Sequence, residues 1–109
     1  MRVSLALVML FAVACQGDPK KCEQAVRNYH SLLFWEKADQ DIGSAAPADR
    51  DALRKEKTAQ FQHEETRALP TLISQCTTAN NEDQVSCLIA AKTAAQARKC
   101  ADQAEMQKK

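Results

Sequence analysis

Cysteine is the residue type in this sequence whose number and spacing point most directly to chemistry. The sequence holds five cysteines, at positions 15, 22, 76, 87 and 100. A cysteine side chain can close a disulfide, bind a metal, attack a substrate or carry a lipid. No C-x-x-C spacing occurs and the two histidines, His30 and His63, stand alone, so the closely spaced ligands of a zinc site are absent from the sequence. We therefore predict no bound metal and expect structural or surface roles for both histidines.

The sequence also lacks the motifs that would indicate an enzyme. Glu64 and Glu65 follow His63 without a second histidine, so the H-E-x-x-H signature of metalloproteases is absent. With only two glycines in the chain, neither a glycine-rich phosphate loop nor a G-x-S-x-G serine motif occurs. We predict that the protein is not an enzyme and uses no cofactor.

The first 14 residues have the pattern of an export signal. Arg2 precedes a run of uncharged, mostly apolar residues, which is shorter than the about 20 residues that a membrane-spanning helix requires. Ala12-Val13-Ala14 then places small residues directly before Cys15. This ending fits ordinary signal cleavage, and it also resembles the bacterial lipobox, whose cysteine is lipidated and becomes the first residue of the mature chain.

The number of cysteines favours lipidation over ordinary cleavage. Five exported cysteines leave one without a partner, whereas a lipid on Cys15 leaves an even number for disulfides. The four are Cys22, Cys76, Cys87 and Cys100. We predict a signal peptide over residues 1–14, a lipidated N-terminus and short tether over residues 15–18, and a helical domain over residues 19–109. The alternative is a freely secreted, disulfide-stapled module that binds a small apolar ligand between its helices.

The composition indicates one small helical domain. Without Arg2, the 15 basic residues become 14 and equal the 14 acidic residues, so the mature chain lacks the basic excess of a nucleic-acid-binding protein. A chain of this length buries a modest core, which disulfides commonly supplement in exported domains. Two glycines and three prolines leave few helix breakers. We predict an all-α fold: a small three-helix bundle, or three to four helices with a kink, stapled by two disulfides.

The predicted helices follow from capping residues and breakers. Asp18 and Pro19 suit the start of a first helix that runs to about residue 38, followed by a loop over residues 39–48. Asp49 is the cap candidate of the second helix, which Pro70 interrupts or kinks. Asn81, with Gln84 three residues later, forms a candidate capping box for a third helix that continues past Cys100.

That continuous third helix determines the predicted disulfides. Cys87 and Cys100 would lie 13 residues apart on one helix, a separation of about 20 Å at about 1.5 Å per residue. Paired cysteines have Cα atoms within about 7 Å, so we predict Cys76–Cys87 across the preceding turn and, by elimination, Cys22–Cys100. The second pair conflicts with a plain up-down-up bundle, in which its two cysteines would lie at opposite ends.

Two aromatic residues of the first helix have two interpretations. Cys22, Val26, Tyr29 and Leu33 form the predicted buried stripe at helical spacing. Phe34 and Trp35 extend beyond it, either because they widen the core or because one of them docks a partner.

Short motifs of the mature chain resemble those of small helical four-cysteine lipoproteins of myxobacteria and spirochaetes. The motifs are Lys21-Cys22-Glu23 followed by His30, then Cys76, Gln84-Val85-x-Cys87, Ala90-Ala91-Lys92-Thr93 and Lys99-Cys100. The resemblance implies export, lipidation and disulfides, and it implies no catalytic residues because the biochemical role of that family is undefined. The chain departs from the usual lipobox at Ala12, where leucine is common.

A lipid on Cys15 would hold the first helix close to a membrane. Four residue steps separate Cys15 from Pro19 and reach at most about 14 Å. Lys20 and Lys21 would then lie near lipid phosphates, where each is worth about 1 kcal/mol at an anionic surface; the alternative is that both are merely solvated. Gln16 is not the aspartate of inner-membrane retention, so we expect the outer membrane of a bacterial envelope, with an envelope protein as a further partner.

Overall fold

The computed structural model of the protein describes residues 17–107, and the side chains of residues 17–102. The helices are α1, Pro19–Ser44; α2, Arg50–Ala79; α3, Glu82–Ala90; and α4, Ala94–Gln107; a 3-10 turn, Pro47–Asp49, precedes α2. The prediction of a small all-α bundle stapled by two disulfides is confirmed. The predicted signal peptide and Cys15 lie outside the described residues. Among the described helices, none has both the length and the apolarity needed to cross a bilayer.

Helix α1 begins where the sequence predicts and ends later. The Asp18 side chain accepts a hydrogen bond from the Lys20 N–H at 2.9 Å, which caps the helix. The predicted loop over residues 39–48 is wrong for its first part, because α1 continues to Ser44. Ala38 and Ile42 lie four residues apart and are buried, so burial on one face keeps these polar turns helical.

Helix α2 lies antiparallel to α1. Cys22 near the start of α1 is bonded to Cys76 near the end of α2, while Lys57 Nζ lies 3.1 Å from Asp41 Oδ2 at the other end of the pair. The predicted interruption at Pro70 is wrong, because α2 runs through this residue. Pro70 is exposed and the neighbouring Leu69 is buried, so packing of Leu69 helps to hold the helix together past the backbone donor that proline lacks.

The predicted third helix is two helices. Residue Ala91 is extended, and the Thr93 hydroxyl accepts a hydrogen bond from the Gln96 N–H at 3.1 Å, which starts α4. The Gln96 side chain in turn accepts a hydrogen bond from the Lys92 N–H at 2.7 Å. The extra helix therefore arises from this break, and not from a kink at Pro70.

The core lies around the first half of α1, which packs against all three other helices. Its buried members are Cys22, Ala25, Val85, Leu88, Ala91, Ala97 and Cys100. Ala25 and Ala97 are completely buried, as expected where small side chains let helices approach closely. Alanines bury little area, so the core gains relatively little from the hydrophobic effect and depends on covalent support.

Candidate functional site

The four cysteines predicted to pair all form disulfides, but their partners differ from the prediction. The bonds are Cys22–Cys76, with Cα atoms 5.8 Å apart, and Cys87–Cys100, with Cα atoms 5.7 Å apart. The predicted pairs, Cys76–Cys87 and Cys22–Cys100, are wrong. Their premise was a continuous third helix, whereas the break before Ala94 folds α4 back along α3 and brings Cys87 next to Cys100.

Each disulfide closes one helical hairpin. Cys22–Cys76 joins α1 to α2 across 54 residues, and Cys87–Cys100 joins α3 to α4 across 13 residues. In an antiparallel pair, the start of one helix lies beside the end of the next. The observed pairs therefore need no bond between opposite ends of the bundle, as the predicted pair Cys22–Cys100 did. Neither of these disulfides crosses between the hairpins, which are joined by the chain at residues 80–81 and by noncovalent contacts.

Polar side chains contribute to the contact between the hairpins. The Asn28 side-chain amide donates to the backbone carbonyls of Leu88 and Ala91, at 2.7 and 2.9 Å. Arg98 of α4 pairs with Glu36 of α1, with Nη2 and Oε2 2.6 Å apart. The hydrogen bond and charge of Glu36 raise the pKa of Arg98, a guanidinium that is charged at physiological pH in any surroundings.

The segment that precedes α1 is attached to the end of α2. The Gly17 N–H donates to the Thr77 carbonyl at 2.9 Å. A Cβ atom on Gly17 would lie 3.2 Å from Asn80 Oδ1, so this position permits a close approach that a larger residue would crowd. Residue 17 is therefore fixed to the bundle.

The turn between α2 and α3 has a defined backbone. Asn80 has the left-handed conformation, with φ 48° and ψ 47°, which asparagine adopts more readily than most residues. Its N–H donates to the Cys76 carbonyl at 3.1 Å. The predicted cap Asn81 is confirmed, because its side chain accepts from the Gln84 N–H at 3.1 Å. Together with residues 17–21, residues 80–83 form one end of the bundle, which we call the basal surface.

The basal surface carries charges of both signs. Lys20 and Lys21, the lysines predicted to contact a membrane, are exposed here. Asp18, Glu82 and Asp83 are exposed on the same surface. Two ammonium groups thus lie among three carboxylates. The prediction from the sequence considered only the two lysines, because the fold is what brings Glu82 and Asp83 beside them.

The aromatic residues pack along the seam between α1 and α2. Phe34 lies 5.2 Å from Phe61 and 5.3 Å from Trp35 between ring centroids, and His30 stacks on Phe61 at 5.1 Å. All four side chains are partly buried. Phe34 and Trp35 therefore pack against Phe61 of α2, outside the core cluster.

His30 has surroundings that suit a structural residue. Its Nε2 lies 3.6 Å from Glu64 Oε2, while its Nδ1 is buried without a hydrogen-bond partner. No cluster of three potential metal ligands occurs in the part of the chain that the structure describes. The His30 ring packs against Phe61 in the aromatic seam between α1 and α2.

No family model, curated protein or solved structure matches the chain. Its function must be argued from its own disulfides and surfaces.

Proposed function

We propose that the protein is a lipid-anchored, non-enzymatic helical domain of a bacterial envelope that acts through contacts with another protein. One observation carries the proposal: the two disulfides use four of the five cysteines. The cysteine that remains is Cys15, which follows the export-signal pattern directly and stands where a lipobox has its lipidated residue.

The disulfides support export independently of the signal pattern. Disulfides persist in oxidising compartments such as the bacterial periplasm and are rare in the cytosol. Cys22 and Cys100 are also buried, so external thiols can reach only the partly exposed sulfur atoms of Cys76 and Cys87.

The state of the cysteines and of His30 supports the non-enzymatic part of the proposal. Four thiols are bonded, and His30 is stacked between α1 and α2. The long α1–α2 hairpin extends beyond the part of α1 that the core cluster covers and presents exposed charged residues to solvent. Such a projecting, well-solvated surface suits reversible contact with a protein partner better than chemistry in a cavity.

The decisive test is metabolic labelling with a fatty acid. We expect label on the wild-type protein and none on Cys15→Ser, with unchanged disulfides and helical circular dichroism because residue 15 precedes all the described helices. Gln16→Ala is the matched control, since it alters the adjacent residue and keeps the thiol. Undiminished label on Cys15→Ser would refute lipidation at this residue.

The cavity between α1 and α2 does not suit the alternative of a freely secreted protein that binds an apolar ligand between its helices. The cavity beside Phe34 has a volume of about 290 Å³, and its lining includes Lys37, Asp41, Lys57 and Glu64. Charged walls disfavour an apolar ligand. Detergent phase partition distinguishes the two hypotheses, because a lipid-anchored protein enters the detergent phase and a freely secreted one stays in the aqueous phase.

A further inference from the structure

The attachment of residue 17 limits how far the bundle can move from a lipid on Cys15. Two residue steps separate Cys15 from Gly17, a reach of at most about 7 Å. Because the Gly17 N–H is hydrogen-bonded to the Thr77 carbonyl, Cys15 can lie no farther than this from residue 17 of the basal surface. The sequence alone suggested a longer tether that ended at Pro19.

This reach matches the thickness of the lipid headgroup layer. Each headgroup layer is about 5–7 Å thick, as given by bilayers of about 40–45 Å with a hydrocarbon core of about 30 Å. A Cys15 anchored at the base of that layer would leave Gly17, and Asn80 beside it, within or directly above the headgroups. The α2–α3 turn would thus meet the membrane together with the start of α1.

The charges of the basal surface indicate which headgroups fit it. An anionic surface attracts Lys20 and Lys21, but it repels the exposed carboxylates of Asp18, Glu82 and Asp83. A zwitterionic headgroup has a phosphate for the lysines and an ammonium group for the carboxylates.

We propose that the basal surface packs on zwitterionic lipid headgroups of the phosphatidylethanolamine type, so that the bundle is fixed on the membrane by one end. This inference rests on the proposed lipidation of Cys15. Lys20 and Lys21 would bind lipid phosphates, and Glu82 and Asp83 in the first turn of α3 would bind lipid ammonium groups.

Photocrosslinking of the lipidated protein in phosphatidylethanolamine-containing nanodiscs tests the contact. Benzoylphenylalanine at position 83 on the basal surface should crosslink to lipid, whereas the same residue at position 48, at the opposite end of the α1–α2 hairpin, should not. Both positions are exposed, and neither substitution adds a cysteine. Equal lipid crosslinking at both positions, or none at position 83, would overturn the inference.

A flexible insertion tests whether the short attachment at residue 17 holds the basal surface on the membrane. Ten Gly/Ser residues between Gln16 and Gly17 should lower the lipid crosslinks from position 83 at least several-fold; an unchanged yield would show that the short attachment does not hold the surface in place. Mass spectrometry of the same samples reports the lipid on Cys15. Its absence would refute the proposed function, while its presence without crosslinks at position 83 would refute only the packing.

A pair of charge variants tests the headgroup preference. The crosslinking yield from the probe at position 83, which itself replaces Asp83, should change less than twofold when anionic phosphatidylglycerol replaces part of the phosphatidylethanolamine, because two lysines then face two carboxylates. Adding Glu82→Gln should make the yield rise with the anionic fraction, because two lysines then face a single carboxylate. Adding Glu56→Gln instead, on the exposed hairpin far from the basal surface, should leave the yield as it is without it. A yield that rises steeply with phosphatidylglycerol before either change would contradict the zwitterionic preference.

Discussion

Asn28 of α1 donates a hydrogen bond to the carbonyl oxygen of Leu88 in α3, with the two atoms 2.7 Å apart. Leu88 belongs to the last turn of α3, where helix carbonyls have no intrahelical donor. The same amide group also donates to Ala91, the residue that ends this helix. One side chain thus satisfies the end of α3 and fixes the second hairpin against the first.

We expect Asn28→Ala to lower the free energy of unfolding by about 1–3 kcal/mol, the range for buried groups that lose a hydrogen-bond partner. Asn28→Asp should cost more, since it places a carboxylate against two carbonyl oxygens. Urea unfolding followed by circular dichroism measures both, with exposed Gln75→Ala as the control. If Asn28→Ala unfolds at the same urea concentration as the control, Asn28 does not have this role.

Peptide mapping without reductant should show Cys22 linked to Cys76 and Cys87 linked to Cys100. In the chain-entropy argument, closing loops of 54 and 13 residues stabilises by about 4 and about 3 kcal/mol. Replacing Cys87 and Cys100 together by alanine should therefore speed hydrogen exchange mainly in α4. A peptide that links Cys76 to Cys87 would contradict the arrangement of the two hairpins.

The two glycines should respond to alanine in opposite directions. Gly43 lies in the last turn of α1, and a Cβ added there would have no neighbouring atom within 4 Å, so Gly43→Ala should stabilise the helix by about 0.5 kcal/mol. Gly17→Ala should crowd Asn80 and weaken the hydrogen bond to Thr77. The readouts are thermal unfolding for the first variant and amide exchange at residue 17 for the second. Unchanged exchange at residue 17 would show that the segment tolerates the added methyl group.

Thr93→Ala should destabilise the protein by about 1 kcal/mol, because it removes the cap of α4. Thr78→Ala, at an exposed position of α2, is the matched control. Chemical denaturation of both variants compares the two threonines directly. Equal midpoints would mean that the hydroxyl of Thr93 does not define the break.

Helix caps can be predicted from the sequence because they depend on neighbouring residues, whereas contacts between distant residues cannot. The caps at Asp18 and Asn81 depend on residues two or three positions away, and both were predicted correctly. The last turns of α1 depend on burial of Ala38 and Ile42, which no neighbouring residue reveals.

The sequence contains a signal for the break before α4, although the predicted third helix runs through it. Thr93-x-x-Gln96 fits the capping-box pattern, but the regular spacing of alanines favours one uninterrupted helix. The wrong disulfide pairs follow directly from that predicted continuous helix. In the basal surface, the exposed lysines were anticipated, whereas the bond from Gly17 to Thr77 joins residues 60 positions apart and could not be foreseen.

The Cys22–Cys76 bridge also determines how the molecule would respond to mechanical tension. A pull that enters through the chain ahead of Cys22 passes through the sulfur atoms to Cys76 and bypasses the residues between them. The 54 residue steps between the two cysteines would otherwise add about 180 Å of extended length at about 3.3 Å per residue. The α1–α2 hairpin therefore carries no load beyond Cys22 and Cys76 and cannot be pulled open, and any lengthening must come from the segments outside the two covalent loops.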